Sequence, residues 1–140
     1  MSESPLSRAT GVFKALGHPT RLRILAMLRA GGLCVCQITV ALGLAASTVS
    51  AHLAELRRAG LAVEHRDGRW VSYSLAKHPR AAELLESVHA SIDADPQVEA
   101  DARLVRGLRR VAVEELCRVG LDLGRVGLRR PAPADAEGRT

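Results

Sequence analysis

The chain has 140 residues, 47% of them hydrophobic and 25% charged, which is enough for one folded domain and argues against wholesale disorder. The net charge is +5; the first 80 residues carry 11 basic and 4 acidic side chains and the last 60 carry 9 and 11, so the positive excess lies in the N-terminal part, as in proteins that approach phosphates. No segment approaches the roughly 20 apolar residues of a membrane span, and the N-terminus lacks the pattern of a signal peptide, so we expect a cytoplasmic protein with no membrane partner.

The first clear boundary is Gly17-His18-Pro19, where one element ends and a helix begins, because proline is well tolerated in a first helical turn. Leu22, Leu25 and Leu28 then form a helical apolar face that ends at Gly31-Gly32. We therefore predict a helix between these two glycine-containing boundaries.

Two further helices follow at short intervals. Val35, Ile38 and Leu42 mark the first, which stops at Gly43. The second spans about residues 46–59, and its core face consists of Val49, Leu53 and Leu56. Two short helices joined by a tight glycine-containing turn predict a helix-turn-helix.

The second helix of this pair has the chemistry of a helix that reads DNA. Ser47, Thr48, Ser50 and His52 cluster in its N-terminal half, where hydroxyl and imidazole groups can contact phosphates and base edges. The alternative is a serine and threonine cluster that only caps the helix. Four polar positions exceed what capping needs, so we predict that these residues contact DNA.

A β-hairpin is predicted over about residues 61–75. Asp67-Gly68 is a strong signal for a two-residue turn between a strand that ends at Arg66 and a strand that begins at Arg69. Arg66 and Arg69 make the hairpin tip cationic and suit it to the minor groove or the DNA backbone. The fold class is therefore mainly α with a small β-hairpin wing, a winged helix-turn-helix.

Two more apolar stripes follow the hairpin, separated near Asp95-Pro96. A chain of this size is not expected to bury both alone, so we expect a homodimer, with packing of the last helix over its own domain as the alternative. We assign residues 1–120 to the winged helix-turn-helix domain with its dimerisation helices and 121–140 to a C-terminal extension, disordered at its end. The stripes comprise Ala81, Leu84, Leu85, Val88 and Ile92, then Leu104, Leu108, Val111 and Ala112, the second widened by Val105 and Leu116.

Residues 13–75 resemble the ArsR/SmtB family of metalloregulatory repressors. The resemblance is carried by FKALGHPTRLRILAML, CVCQITVALGLAASTVSAHLAELRRAGL and VEHRDGRWVSYSL, whose order and spacing hold without a gap. It implies an obligate homodimer that binds palindromic double-stranded operator DNA and leaves it when an inducer binds. It also implies DNA contacts from the recognition helix (Ser47, Thr48, Ser50 and His52) and from the wing (Arg66 and Arg69).

Cys34 and Cys36 open the first helix of the predicted helix-turn-helix. A helix N-terminus lowers the pKa of a thiol and favours the thiolate that binds soft ions, and CVC at this point resembles the arsenite- and cadmium/lead-responsive members. Residues i and i+2 of a regular helix point to nearly opposite sides. We therefore expect that joint ligation distorts the first turn and alters how the recognition helix meets DNA.

A third sulfur ligand beside Cys34 and Cys36 has two positions to consider in this sequence, those of Thr39 and Cys117. The arsenite-responsive members that the chain resembles have a third cysteine where this chain has Thr39, and Cys117 is its only other cysteine. Trivalent arsenic or antimony as the oxyacid needs three thiolates, whereas a monomethylated arsenical needs two. We expect trivalent arsenic or antimony as the inducer, bound by Cys34 and Cys36 with Cys117 as a candidate third ligand. Alternatives on the same fold are a cadmium/lead-type sensor and a thiol-based redox sensor.

Other function classes have little support. His89 and Asp93 are spaced i, i+4, but the ligand spacing of a zinc site on the last helices is absent. The sequence has no glycine-rich phosphate loop and no nucleophile elbow, so we do not expect an enzyme.

Overall fold

The computed structural model describes residues 3–131. Within these residues the chain forms seven α-helices, a three-stranded sheet and two short 3₁₀ turns at Leu28–Ala30 and Leu123–Val126. The helices are α1 (Pro5–Leu16), α2 (Pro19–Met27), α3 (Val35–Leu42), α4 (Ala46–Arg58), α5 (Pro79–Ile92), α6 (Pro96–Leu108) and α7 (Val113–Arg118). The strands are β1 (Leu33–Cys34), β2 (Ala62–Asp67) and β3 (Trp70–Leu75).

Helices α3 and α4 form the predicted helix-turn-helix. Gly43 ends α3 with φ of 69°, a left-handed conformation that favours glycine, and α4 begins three residues later. Val49, Leu53 and Leu56 are fully or almost fully buried, as the apolar spacing predicts. No single helix within residues 3–131 is long and apolar enough to cross a membrane; α3 and α4 meet that criterion only jointly, across a bend of 116°.

The sheet contains the predicted hairpin and one strand that the sequence did not reveal. Its order is β1-β3-β2, and both pairings are antiparallel. The hairpin turn lies one residue later than predicted: Asp67 pairs with Trp70, so Gly68 and Arg69 form the turn. Gly68 has φ of 60°, which a type II′ turn requires at its first central residue.

The C-terminal helices are shorter than the apolar stripe suggested. α6 ends at Leu108, and a new helix, α7, begins at Val113, so one helix does not run from Leu104 to Leu116. Leu104 and Leu108 are buried in the core, where α6 packs against α2 and α3 of the same chain. Intramolecular packing therefore accounts for the α6 part of the predicted dimerisation surface.

A buried ion pair holds α6 to α2. The guanidinium of Arg23 donates to both carboxylate oxygens of Asp101, at 2.8 and 3.0 Å, and Asp101 is only 3% exposed. Gln97 also donates to Asp101 (3.0 Å), so the buried carboxylate has several hydrogen-bond partners.

Helix α1 carries the most exposed large apolar side chains. Leu6 is 79% exposed and Phe13 64% exposed, whereas Ala15 on the same helix is buried in the core. The rest of the apolar surface that the sequence suggested for dimerisation lies on α5, where Leu84, Val88 and Ile92 are half-buried.

The C-terminal extension packs onto the domain as far as the structure describes it. Leu123 is buried, and the guanidinium of Arg130 donates to the carbonyl oxygens of Val40 (2.7 Å) and Ala41 (3.4 Å) at the end of α3. The end of the tail, which we predicted to be disordered, lies in residues 132–140, outside the described residues.

Candidate functional site

Cys34 lies in strand β1 and forms the N-cap of α3. Its backbone is extended (φ −69°, ψ 148°), and its N–H donates to Oε1 of Gln37 at 2.7 Å. Its side chain is buried, and the thiol donates to the carbonyl oxygen of Val71 in β3 at 3.3 Å. The first cysteine therefore links the start of α3 to the wing.

Cys36 has the other two thiols of the chain as neighbours. It occupies the first turn of α3 and is half-buried, and the sulfurs of Cys34 and Cys117 are near enough to influence its pKa. Our expectation that Cys34 and Cys36 point to opposite sides of one regular helix was wrong, because Cys34 precedes the helix in extended backbone. Cys34 and Cys36 consequently border the same cleft beside α3.

The pKa of Cys36 shifts in the direction opposite to the one we predicted. Burial raises it most, and hydrogen bonds and repulsion from the neighbouring sulfurs of Cys34 and Cys117 raise it further, to about 12. The helix N-terminus does not outweigh these effects. Cys36 is thus a protonated thiol at neutral pH in the free protein.

Cys117 reaches this site from α7 and is itself solvent-exposed. The break between α6 and α7 allows α7 to pack against α3. Thr39, at the position where the sequence lacks a third cysteine, donates its hydroxyl to the carbonyl oxygen of Val35 at 2.8 Å. Within residues 3–131, no three His, Cys, Asp or Glu side chains already form a closed metal-binding set, so the three sulfurs would have to move closer to bind one ion.

The polar residues of the recognition helix α4 face outward. Ser47, Thr48 and Ser50 are exposed on the N-terminal half of the helix, opposite its buried apolar face. Ala45, with no side-chain capping bond, precedes the helix, so neither Ser47 nor Thr48 serves as its N-cap. Their hydroxyl groups are therefore free for other partners.

His52 lies on the flank of α4, against the start of α2. Its Nδ1 accepts a hydrogen bond from Nε of Arg21 (3.2 Å), and its ring lies 4.5 Å from the ring of His18. Burial, followed by the nearby His18 and Arg21, lowers the pKa of His52. The Nδ1 of His18 accepts a hydrogen bond from the backbone N–H of Thr20, so His18 caps α2.

The wing presents the predicted cations at its tip. Arg66 and Arg69 are exposed, and the guanidinium of Arg69 lies 4.9 Å from the centre of the Trp70 ring. Arg66 also forms a weak ion pair with Glu64 (3.4 Å), which leaves most of its guanidinium available to solvent.

Glu64 connects the wing to the recognition helix, a role that we did not predict from the sequence. One of its oxygens accepts from the Tyr73 hydroxyl (2.9 Å) and from Arg57 of α4 (3.1 Å). The hydrogen bond from Tyr73 is the main cause of the lowered pKa of Glu64, and Arg57 and Arg66 add to it. Only the alternation of outward residues in β2 could have suggested Glu64 as a candidate.

The residues considered for a zinc site have other partners. His89 is buried, and its Nε2 is 3.0 Å from the carbonyl oxygen of Leu25. Asp93 pairs with Arg29 on the surface.

Comparison with known proteins agrees with this architecture. Residues 18–63, which include the helix-turn-helix, match the model of the bacterial regulatory protein arsR family. The chain is 42% identical over 95 residues to the HTH-type transcriptional regulator CmtR of Mycobacterium tuberculosis, covering 68% of this chain and 78% of CmtR. The chain belongs to the ArsR family. Because the members of this family are regulatory proteins, the match agrees with our expectation that the chain is not an enzyme.

Arsenic regulators are among the similar members of this ArsR family. The arsenic resistance transcriptional regulator ArsR1 of Pseudomonas putida is 44% identical over 78 residues, which cover 55% of this chain and 59% of ArsR1. The chain thus spans less than two thirds of that relative's length. Among solved structures, a homodimeric winged helix-turn-helix DNA-binding domain from Mycobacterium bovis is similar with a TM-score of 0.57 and 32% identity, covering 66% of this chain and 89% of that one.

Proposed function

We propose that this ArsR-family protein is a homodimeric repressor that leaves operator DNA when trivalent arsenic or antimony binds to Cys34, Cys36 and Cys117. The observation that carries the proposal is the position of Cys36, which follows Cys34 at the start of α3 and lies on the helix against which α7, the helix of Cys117, packs. A soft trivalent ion prefers thiolate sulfur over oxygen or nitrogen donors. The similarity to arsenic resistance regulators supports the same class of inducer.

The route from the thiols to DNA is short in this fold. The Cys34 thiol donates a hydrogen bond to the carbonyl oxygen of Val71 in the wing. Ligation of Cys34 would remove the thiol proton and therefore this hydrogen bond. Cys36 belongs to the first turn of α3, and α3 leads through the turn at Gly43 into the recognition helix. Ligand binding would therefore alter both the wing and the helix that precedes α4.

The DNA-binding surface in this proposal consists of Ser47, Thr48, Ser50 and His52 with Arg66 and Arg69 of the wing. The hydroxyl groups are exposed and uncapped, and the wing cations point to solvent. His52 would act at the edge of this surface, where Arg21 adds a further cation. The exposed Leu6 and Phe13 support dimerisation through α1.

Replacing either wing arginine with alanine is expected to weaken DNA binding through lost phosphate contacts. Each phosphate contact contributes about 0.9 to the steepness of the plot of log affinity against log salt concentration. A dimer loses two contacts with Arg66→Ala or Arg69→Ala, so the slope should become shallower by about two. The measurement is fluorescence anisotropy at several salt concentrations. Arg80→Ala, an exposed arginine at the start of α5, is the control; an equal slope change in this variant would refute the assignment.

The inducer is tested by titrating the protein–DNA complex with arsenite, antimonite, cadmium and zinc. The DNA is a duplex that the protein itself selects from a random-sequence pool, and its release is followed by fluorescence anisotropy. We expect release by arsenite and antimonite at concentrations at which zinc has no effect. Release by zinc alone, or by none of the four, would contradict the proposal.

A thiol-based redox sensor is the second candidate, because Cys36 has two possible disulfide partners among its neighbours. The two functions differ in what triggers DNA release. Peroxide would release DNA from a redox sensor, whereas arsenite in the presence of a reductant would not.

A further inference from the structure

A cleft of about 520 Å³ lies between the recognition helix, the wing and the start of α3. Cys34 and Cys36 both line it, whereas Cys117 lies outside its lining. If an arsenic atom entered from the cleft and bound Cys34 and Cys36, its third substituent would therefore extend into the cleft.

Among the polar side chains that line it, the cleft has apolar surface that an organic group can contact. Leu53, Val71 and Leu121 contribute aliphatic surface, and Trp70 and Tyr73 contribute aromatic surface. An apolar cavity of about 150 Å³ is enough to hold benzene. The cleft is therefore much larger than arsenite or a methyl group requires.

We propose that this cleft holds the organic substituent of a trivalent aromatic arsenical whose arsenic is bound by Cys34 and Cys36. The inference rests on the proposed function, since it uses two of the same three thiols, and it extends the class of inducer to arsenicals whose third bond is to carbon. The reaction is R–As(OH)₂ with two thiols, giving R–As(S-Cys)₂ and two waters. Two As–O and two S–H bonds break, two As–S bonds form, and the arsenic stays trivalent, so no oxidant or reductant is needed.

An occupant of this cleft would act directly on the DNA-binding elements. Ser50 of the recognition helix and Arg66 and Arg69 of the wing line the same cleft. The ion pair between Arg57 of α4 and Glu64 of β2 crosses from one wall to the other. An aromatic ring between these walls would change the spacing of the helix and the wing.

Trp70 provides the readout, since it is the only tryptophan of the chain and lines the cleft. Its fluorescence is titrated with phenylarsonous acid, methylarsonous acid and arsenite, on the wild type and on two variants. We expect phenylarsonous acid to bind at least tenfold more tightly than methylarsonous acid. Val71→Phe, which fills the cleft, should weaken the binding of phenylarsonous acid at least tenfold more than the binding of arsenite.

The matched control is Val63→Phe, which adds the same volume to the same hairpin at an exposed position outside the cleft lining. This variant should change neither the affinity for phenylarsonous acid nor the affinity for arsenite. Equal binding of the phenyl and methyl compounds by the wild type would overturn the inference even if Val71→Phe failed to fold. Tight arsenite binding with no phenyl preference would refute this inference alone, whereas no binding of any arsenical would refute the proposed function as well.

Discussion

Replacing Cys36 with serine is expected to raise the arsenite concentration that releases DNA by more than about 100-fold. Cys36 is the thiol whose pKa both other sulfurs influence, so its loss leaves Cys34 and Cys117 without a shared neighbour. Even partners outside the ligand set commonly change metal affinity by about 10–100-fold, and loss of a central ligand should exceed this range. The measurement is an anisotropy titration of the protein–DNA complex.

Cys34→Ser and Cys117→Ser are the matched controls, because each leaves Cys36 with one thiol partner. We expect intermediate losses for both and unchanged DNA affinity without arsenite. Thermal unfolding checks that the half-buried Cys36 site tolerates the change. If Cys36→Ser released DNA at the wild-type arsenite concentration, the three-thiol site would be wrong; an unchanged response in Cys117→Ser alone would exclude Cys117 as a required ligand.

The second large effect is a difference in pH dependence between cadmium and arsenite. The Cys36 pKa of about 12 means that this thiol is protonated throughout the neutral range. Cadmium must displace that proton, so its affinity should rise at least about tenfold per pH unit, or about 100-fold between about pH 6 and pH 8. Arsenous acid reacts with neutral thiols to release water and no proton, so its affinity should stay nearly constant.

Calorimetric titrations in buffers of different ionisation enthalpy would count the released protons directly. We expect at least one proton per cadmium ion and none per arsenite. A cadmium affinity that does not change with pH would contradict the protonated state of Cys36. Tight cadmium binding at neutral pH with no arsenite binding would favour a cadmium-type sensor over the proposed metalloid sensor.

The helix-turn-helix and the wing could be predicted because their signals are local. Val49, Leu53 and Leu56 repeat with the period of a helix, and Gly43 marks the turn before it. The hairpin was predicted one residue out of place. The position of the turn depends on which residues pair across the strands. Because Asp67 pairs with Trp70, the turn consists of Gly68 and Arg69 and not of Asp67 and Gly68, and its first residue is the glycine with positive φ.

Local sequence patterns are sufficient to predict the winged helix-turn-helix and to place two of the three cysteines at the start of α3. That the third cysteine lies near them follows from the tertiary fold. Pairing of β1 with β3 holds Cys34 in extended backbone opposite Ser72, and the break after Leu108 lets α7 bring Cys117 to Cys36. Both depend on contacts between residues far apart in the chain, which no local period encodes. The same packing buries Cys36 and raises its pKa, so the state of the thiol, like its partners, is a property of the fold.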